Sequence, residues 1–394
     1  MNPPNFQRFW IFAIAAGLAI GNLYVAHPLL VEISEALAIS SPQVGLMATL
    51  VQVGYAVGTV MLLPLGDLLS RKHLVPVFMA TAGLGLFIAG LSESFTLLLI
   101  TLAAVGLTTI SGQMLIALTG DVSGPEKRGR NLGVVASGIV VGILVARTIS
   151  GVIAGLLGWH ASFLAFGILN ILVGLLLFRL IPRLQPKPRV AYFKLISDVF
   201  VIPLKNWTLA LNLFMNSVGF ALFSAMWTSI TFLLSEKPFE FNPEVIGLFG
   251  LVGVVGALVA QPAGKLFDRG LVNLALIFAF AGYVVSYILG GFVFVSIGFL
   301  IAQLLLLDAA GQVNNLMNQS RVLTKFAHAR SRVNASYVAS NFVGGAIGTS
   351  VAASLWPIGG WILIQQISLA ISLALLAAWV IIAKTKLFDR PANY

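Results

Sequence analysis

Residues Val44–Lys72 read VGLMATLVQVGYAVGTVMLLPLGDLLSRK, and this stretch decides the fold class. Residues 44–66 carry no charged side chain, and a helix needs about 20 mainly apolar residues to cross the hydrocarbon core of a bilayer. Asp67, Arg71 and Lys72 follow directly, where the chain would leave the bilayer. The run is about twice as long as a barrel strand and lacks an alternating polar face. It therefore predicts a membrane-spanning helix.

Similar runs recur along the whole chain, separated by charges, prolines and turn residues. We predict twelve membrane-spanning helices, called spans 1 to 12, at residues 9–31, 44–66, 74–92, 95–118, 131–157, 160–181, 206–234, 244–265, 271–290, 292–317, 333–356 and 359–383. The polar stretch 182–205 divides them into an N-terminal six-helix bundle (1–181) and a C-terminal six-helix bundle (206–394). The predicted fold class is all-α integral membrane.

The composition supports a membrane protein and excludes several other classes. Only 9% of the 394 residues are charged and 59% are hydrophobic, whereas about a quarter of a soluble domain is charged. A soluble enzyme, a disordered chain and a nucleic-acid-binding module are excluded. The chain has no cysteine, so disulfides and thiolate metal sites are excluded as well, and we expect no metal and no cofactor.

The basic residues predict the orientation in the membrane. If the amino terminus is cytoplasmic, every Lys and Arg except Arg147 and Lys237 falls in a cytoplasmic segment or at its edge. This distribution follows the positive-inside rule and accounts for the net charge of +10. We therefore predict a multi-pass membrane protein with a cytoplasmic central loop at 182–205 and both termini cytoplasmic. We expect it to lie in the lipid bilayer and to bind no nucleic acid.

The two halves of the chain repeat at a nearly constant offset. The repeated positions are Arg128 with Arg330, Arg130 with Arg332, Gly142 with Gly344 and Gly158-Trp159 with Gly360-Trp361, each 202 residues apart, and Asp67 with Asp268, 201 apart. Six spans separate the members of each pair, so both copies have the same orientation, which is typical of parallel repeats.

Twelve spans, a basic central loop and a parallel repeat resemble the major facilitator superfamily. The loop Pro64–Lys72 resembles the loop signature of that family, Gly-x-Leu-x-Asp-Arg-x-Gly-Arg-Lys/Arg, with Leu65, Asp67, Arg71 and Lys72 matching and Leu63, Leu68 and Ser70 departing from it. The second-half copy is Gly264–Arg269. Together with Asn22-Leu23-Tyr24 before Pro28-Leu29-Leu30, the sequence is most similar to bacterial drug or metabolite efflux members.

This resemblance implies transport of a small-molecule substrate across the bacterial cytoplasmic (inner) membrane. It implies alternating access, with the halves rocking about a midplane site. It also implies a conformational latch at the cytoplasmic loops, with Asp67, Arg71, Lys72, Arg128, Arg130, Asp268, Arg269, Arg330 and Arg332 as the candidate residues. The alternative is that the basic residues of these loops only set the topology.

Span 5 resembles the antiporter signature Gly-x8-Gly-x3-Gly-Pro-x2-Gly-Gly, here Gly133, Gly142, Ala146, Arg147, Ser150 and Gly151. The proline is replaced by Arg147, which weakens the antiporter inference from this motif. A charge inside a span is costly and is expected to face a cavity and a partner. The alternative is that Arg147 snorkels to the outer face.

Asp308 is the only acidic residue that we place deep in a span. Asp308, Gln312, Asn315 and Gln319 follow helical spacing on one face of span 10. A carboxyl group in the membrane is a candidate proton carrier, and the alternative is a structural hydrogen-bonding role. Arg147 and His27 are further candidates for proton coupling, although a lone His on an apolar helix also suits a structural role.

The family resemblance implies that spans 1, 4, 7 and 10 line the substrate cavity. The candidate cavity residues there are Asn22, Tyr24, Gln113, Asn216, Phe220, Phe223, Trp227, Gln312 and Asn315. Aromatic rings and amides together suit an amphipathic organic substrate, although core packing is an alternative for each single aromatic residue.

We therefore predict a monomeric proton antiporter that exports a small organic molecule such as a drug, sugar or metabolite. A proton-coupled symporter on the same fold is the alternative. An intramembrane enzyme is a remote third hypothesis, because the four histidines are scattered and show no metal-ligand spacing.

Overall fold

The apolar runs form helices because hydrocarbon offers no hydrogen-bond partners, so a spanning backbone must satisfy its own polar groups. We describe the fold from a computed structural model, which places residues 6–182, 191–259, 266–267, 269–326 and 329–385. Within these ranges every regular element is a helix. The predicted all-α fold class is confirmed.

In the first half of the chain, two spans are interrupted. Span 1 is Phe6–Gly21, followed by a turn, the 3-10 helix His27–Leu29 and the short helix Leu30–Ala36. Span 4 is two helices that meet at Thr109 and Ile110. The bounds of spans 2 to 6 are Ser41–Met61 with Leu65–Leu68, Arg71–Gly90, Phe95–Thr108 with Ser111–Val122, Arg128–Leu157 and Trp159–Leu180.

The second half begins with a separate helix, Tyr192–Lys205, which we call the connecting helix. Spans 7 to 10 follow as Trp207–Ser235, Pro243–Val259, Val272–Gly290 and Ile297–Lys325. Spans 11 and 12 form the continuous stretch Arg330–Lys384, which is kinked at Gly360. Span 10 extends past its predicted end at residue 317, because its last turns carry Asn318, Gln319 and Arg321 and lose the apolar signal.

The described helices account for all twelve predicted spans. Nine are long and apolar enough to cross a membrane, and one of these, Arg330–Lys384, contains two spans. The shorter apolar helices Phe9–Gly21 and Pro243–Gly256 correspond to spans 1 and 8. The length and composition of the helices are therefore those of a protein that crosses the bilayer many times.

The internal repeat is visible in the backbone. Spans 5 and 6 meet at Gly158 with φ 85°, and spans 11 and 12 meet at Gly360 with φ 53°. A positive φ favours glycine because other residues would suffer a steric clash of Cβ. The repeated Gly-Trp pair therefore marks the same sharp corner in both halves.

Close helix crossings occur at the repeated glycines. A Cβ added at Gly142 on span 5 would lie 2.3 Å from the Cα of Gly17 on span 1. A Cβ added at Gly344 on span 11 would lie 2.3 Å from the carbonyl oxygen of Ser217 on span 7. Small residues allow such contact between membrane helices.

The chain divides into two compact units. The first is Met1–Leu195 with Leu234–Leu251, and the second is Ile196–Leu233 with Val252–Tyr394. The domain bounds expected from the sequence stay a prediction, and each unit is described by itself below.

Candidate functional site

Arg147 of span 5 lies inside the first unit, and only 2% of its surface is exposed. Its guanidinium carbon is 4.4 Å from the centre of the Tyr24 ring, which is within the range of a cation–π interaction. The His27 ring is 5.3 Å from the same tyrosine. The structure therefore brings three predicted site residues together, and the alternative that Arg147 snorkels to the surface is wrong.

The break in span 1 places Tyr24 and His27 at this point. The helix ends at Gly21, and the chain continues as turns up to the 3-10 helix at His27. The Val25 carbonyl in the turn accepts a hydrogen bond from the Ser150 hydroxyl at 2.7 Å. A non-helical backbone at membrane depth needs such partners from neighbouring helices, so span 5 both stabilises the break and supplies Arg147.

Asn22 lies just before this cluster and is engaged in the core. Its side-chain amide donates to Asn170 of span 6 at 3.0 Å and accepts from the same residue at 2.9 Å. Both residues are buried. Asn22 thus joins spans 1 and 6 through a reciprocal amide pair.

Gln113 lies half-buried in the second helix of span 4. Its side chain lies near the hydroxyl of Tyr55 on span 2. Gln113 therefore remains a candidate cavity residue close to a neighbouring helix.

Arg71 is the centre of the predicted latch in the first unit. Its guanidinium binds the Asp67 carboxylate at 2.8 Å, the Asp121 carboxylate at 2.6 Å and the Gly66 carbonyl at 2.9 Å. Charge-assisted hydrogen bonds of this length are strong ones. Asp121 is not among the predicted latch residues, although it is an acidic residue at the end of span 4, on the same predicted side as Arg71.

The other latch candidates of the first unit lie nearer the surface. Arg128 approaches span 4 closely enough that a Cβ added at Gly120 would be 3.4 Å from its Nη2 atom. Arg130 is exposed and Lys72 is half-buried. The ion pair of Asp67 with Arg71 is therefore the best-supported part of the predicted latch in this unit.

Among the described residues, the latch candidates of the second half do not form a charged group like that of Asp67, Arg71 and Asp121. Asp268 lies outside them, and Arg269 is exposed. Arg330 donates to the Leu323 carbonyl at 3.2 Å. Arg332 forms an ion pair with Asp198 of the connecting helix, a partner that the sequence analysis did not predict.

Asp308 lies inside the second unit on span 10, and 2% of its surface is exposed. A Cβ added at Gly256 of span 8 would lie 2.9 Å from the Cβ of Asp308. Tyr283 of span 9 is near enough to be influenced by its charge. Asp308 is therefore buried at a point where span 10 lies close to Gly256 of span 8 and Tyr283 of span 9.

Two other members of the predicted stripe on span 10, Asn315 and Gln319, lie toward span 11. The Tyr337 hydroxyl donates to the side-chain oxygen of Asn315 at 2.7 Å. Gln319 donates to Asn334 at 3.0 Å, and Gln312 is half-buried. Two of these amides therefore connect two helices.

A chain of five asparagines runs through the second unit, and the sequence analysis missed most of its members. Asn212 donates to Asn318 at 2.9 Å, Asn318 to Asn314 at 2.8 Å, and Asn314 to Asn216 at 2.9 Å. Asn216 donates to Asn341. All five are buried. We call this the asparagine chain; it joins spans 7, 10 and 11 and contains the predicted cavity residue Asn216.

The predicted aromatic residues of span 7 form a row next to this chain. Phe220 and Phe223 stack with ring centres 5.6 Å apart, and Trp227 is 6.3 Å from Phe223. Phe342 of span 11 continues the row at 5.1 Å from Phe220. Phe220 and Phe223 are partly exposed, and Trp227 is buried.

One carboxylate outside the spans has a shifted pKa. Burial raises the pKa of Glu32, and the negative charges of Glu35 and Glu244 add to this effect. The backbone N–H of Trp159, which donates to Glu32 at 3.0 Å, opposes it. Glu32 therefore takes up a proton at a higher pH than an exposed glutamate does.

The geometry is that of a helical membrane protein with buried polar groups at helix breaks and crossings, and comparison with known families identifies the class. The sequence profile of the Major Facilitator Superfamily matches residues 10–349. The chain therefore belongs to the major facilitator superfamily.

Individual relatives and structures agree with this assignment. The chain is 35% identical over 383 residues to the "Putative uncharacterized transporter YgaY" of Escherichia coli (strain K12), covering 96% of this chain and 97% of that protein. It is 27% identical to the "Probable transporter SCO4007" of Streptomyces coelicolor, covering 97% and 87%. The crystal structure of the nucleoside transporter NupG has a TM-score of 0.76 at 14% identity, covering 98% of this chain and 100% of that chain.

The family and these relatives indicate a transporter and not an enzyme. As a transporter, the protein lies in the lipid bilayer and binds a small-molecule substrate. Within the described residues, no group of three His, Asp or Glu side chains could hold a metal ion.

Proposed function

We propose that the protein exports a small organic molecule in exchange for protons, through rocker-switch alternating access. The observation that carries this proposal is the burial of Asp308, the carboxyl group inside span 10. Ionisable residues at membrane depth are costly, and in transporters they mark proton and substrate pathways. A carboxyl group that meets water from alternate sides of the membrane can bind a proton on one side and release it on the other.

The aromatic row and the asparagine chain support an amphipathic organic substrate. Phe220 and Phe223 are partly exposed apolar surfaces next to the amides of Asn216 and Asn314. Sites for small molecules combine apolar walls with a few placed polar groups. On this proposal, Asp308 carries the proton while spans 7 and 10 supply much of the substrate contact.

The Arg147 cluster of the first unit supplies the positive charge of the transport pathway. Arg147, Tyr24 and His27 lie together where span 1 is broken. Discontinuous helices carry binding sites in many transporters, since freed backbone groups and polar side chains meet there. We assign Arg147 and His27 to proton coupling, and Asn22, Tyr24 and Gln113 to substrate binding.

Charge placement supports an inner-membrane protein with both termini cytoplasmic, and we propose that it works as a monomer. On that orientation, the Asp67–Arg71–Asp121 group lies at the cytoplasmic surface. We propose that it acts there as the latch of one conformational state, together with Lys72, Arg128 and Arg130. The corresponding latch of the second half would comprise Asp268, Arg269, Arg330 and Arg332.

Proteoliposomes test the direction and the coupling. Purified protein is reconstituted with a trapped pH dye, and a panel of nucleosides, sugars and aromatic amines is loaded one compound at a time. Acidifying the outside should accelerate loss of the transported compound and acidify the lumen. Acid-driven accumulation of that compound would show symport instead and would overturn the proposal.

Asp308→Asn tests the proton carrier. We expect it to reduce gradient-driven efflux to the level of empty liposomes while counterflow exchange of the same compound continues, because exchange needs substrate binding but no net proton transfer. Glu126→Gln, in the exposed turn after span 4, is the matched control and should transport normally. Full gradient-driven efflux in Asp308→Asn would remove Asp308 from the coupling mechanism.

A further inference from the structure

The connecting helix lies between two membrane spans. Span 6 ends at Leu180, and the connecting helix, Tyr192–Lys205, is separated from the start of span 7 at Trp207 by Asn206 alone. Consecutive spans leave and re-enter the bilayer on the same face. The carboxyl end of the connecting helix is therefore held at the membrane surface by its covalent link to span 7.

One face of this helix exposes large apolar side chains. Phe193 is 82% exposed, Phe200 56% and Leu204 83%, and Trp207 at the start of span 7 is 70% exposed. The spacing of seven and four residues puts Phe193, Phe200 and Leu204 on one helical face, and Trp207 follows directly after the helix. We call Phe193, Phe200, Leu204 and Trp207 the apolar strip. Helices that lie in the membrane interface bury such a face about 5–10 Å into the headgroup and acyl boundary.

The opposite face attaches the helix to the protein. Val199 is buried, and its carbonyl accepts a hydrogen bond from Ser336 of span 11 at 2.6 Å. Asp198 forms the ion pair with Arg332 at the start of span 11. These contacts orient the helix without using the apolar strip, so the strip remains available for another surface.

The charges at both ends of the helix favour an anionic surface. Lys194 and Lys205 are exposed beside the strip, and the negative charge of Asp198 is offset by its ion pair with Arg332. Lysines next to a membrane attract anionic lipids. Trp207 fits the same location, because tryptophan is enriched at the headgroup level of membranes.

We propose that the connecting helix binds the surface of the adjacent leaflet, with the apolar strip among the acyl chains and Lys194 and Lys205 on anionic headgroups. The helix is then a lipid-binding element attached to span 11. This proposal concerns a surface outside the transport pathway and does not depend on the direction or coupling of transport.

The absence of cysteine from the chain makes a direct test possible. Phe193→Cys, Phe200→Cys and Leu204→Cys are each spin-labelled in the full-length protein, in vesicles of neutral phosphatidylcholine and in vesicles that also contain phosphatidylglycerol. We expect labels on the strip to be several-fold less accessible to a water-soluble nickel relaxer than a label at Glu126→Cys. They should be more accessible to oxygen, which is enriched in the acyl region.

The lysines are tested by charge reversal. Adding phosphatidylglycerol should move the Phe200→Cys label deeper, and Lys194→Glu with Lys205→Glu should remove that shift. Depths that do not respond to phosphatidylglycerol would overturn the assignment to anionic headgroups. Membrane binding would be overturned if the labels on the strip were as accessible to nickel as the Glu126→Cys label. It would also be overturned by spin–spin broadening, which would show that a second copy of the chain covers the strip.

Discussion

Two helix crossings in the molecule have the same packing. Spans 1 and 5 form the first crossing, and spans 7 and 11 form the second. Gly142 contacts Gly17 in the first, and Gly344, 202 residues later, contacts Ser217 in the second. The second copy adds a hydrogen bond, because the Ser217 hydroxyl donates to the Ser340 carbonyl. Both crossings depend on a glycine that lets two backbones meet.

The two crossings differ in one position, which holds a charged residue in the first copy and a neutral residue in the second. Arg147 lies beside Tyr24 in the first copy. The residue 202 positions later is Thr349, which interacts with the Thr228 hydroxyl at 3.3 Å. The repeat thus duplicates the packing frame but places the buried cation in one copy only. This difference indicates that the repeat serves packing, whereas the buried charges, Arg147 in the first half and Asp308 in the second, are not part of it.

Replacing the crossing glycines should have the largest effect. Gly142→Ala and Gly344→Ala each drive a methyl group into a neighbouring backbone at 2.3 Å. Overpacking costs up to about 3 kcal/mol when neighbours cannot move aside. We expect both variants to lose a similar, large part of their thermal stability in detergent, as measured by the unfolding of purified protein.

Gly133→Ala is the control for this comparison. Gly133 lies on the same span 5, and nothing lies within 4 Å of a Cβ added there. Alanine should be neutral or slightly stabilising in that position, since it favours helices. If Gly142→Ala were tolerated while Gly344→Ala was not, the two crossings would not be equivalent.

Removing the guanidinium of Arg71 should have the second-largest effect. Arg71→Ala leaves the Asp67 and Asp121 carboxylates close together without this cation. The lost charged hydrogen bonds are worth about 2–3 kcal/mol. Arg332→Ala, which removes a single and more exposed pair with Asp198, should destabilise less. The melting temperatures of the purified variants test this ranking, with Lys72→Ala as the control. Equal losses of thermal stability in Arg71→Ala and Lys72→Ala would contradict the prediction.

Interrupting the asparagine chain should have the smallest effect. Asn314→Ala removes a residue that both donates and accepts, whereas Asn212→Ala removes only a donor at the end of the chain. Hydrogen bonds between membrane helices average about 0.6 kcal/mol. Asn314→Ala should therefore destabilise more than Asn212→Ala by about that amount. Chemical unfolding in mild detergent measures the two free energies of unfolding. A larger loss for Asn212→Ala than for Asn314→Ala would contradict the hydrogen-bond chain described above.

Hydropathy was enough to predict the twelve spans, because a run of about 20 apolar residues is typical of a membrane-spanning helix. It could not show the breaks in spans 1 and 4. Residues such as Leu23 and Val25 are as apolar in a turn as in a helix. The turn is stabilised by Ser150 from a distant span, and this contact leaves no local signal.

The candidate site was predicted only in part for a related reason. Span 10 carries polar residues on several faces, and helical spacing selected Asp308, Gln312 and Asn315. The structure shows that Asn314 and Asn318, on another face, form the bonds to span 7. Which face meets a neighbour depends on the tertiary packing of three helices, and the period of one helix does not contain that information.

The asparagine chain has a direction, because each amide nitrogen donates to the oxygen of the next residue. Turning over one amide in the middle would set two oxygens face to face on one side and two amino groups face to face on the other. Each such mismatch leaves buried polar atoms unsatisfied. A single reversed amide is therefore disfavoured, and spans 7, 10 and 11 share one donor-to-acceptor direction.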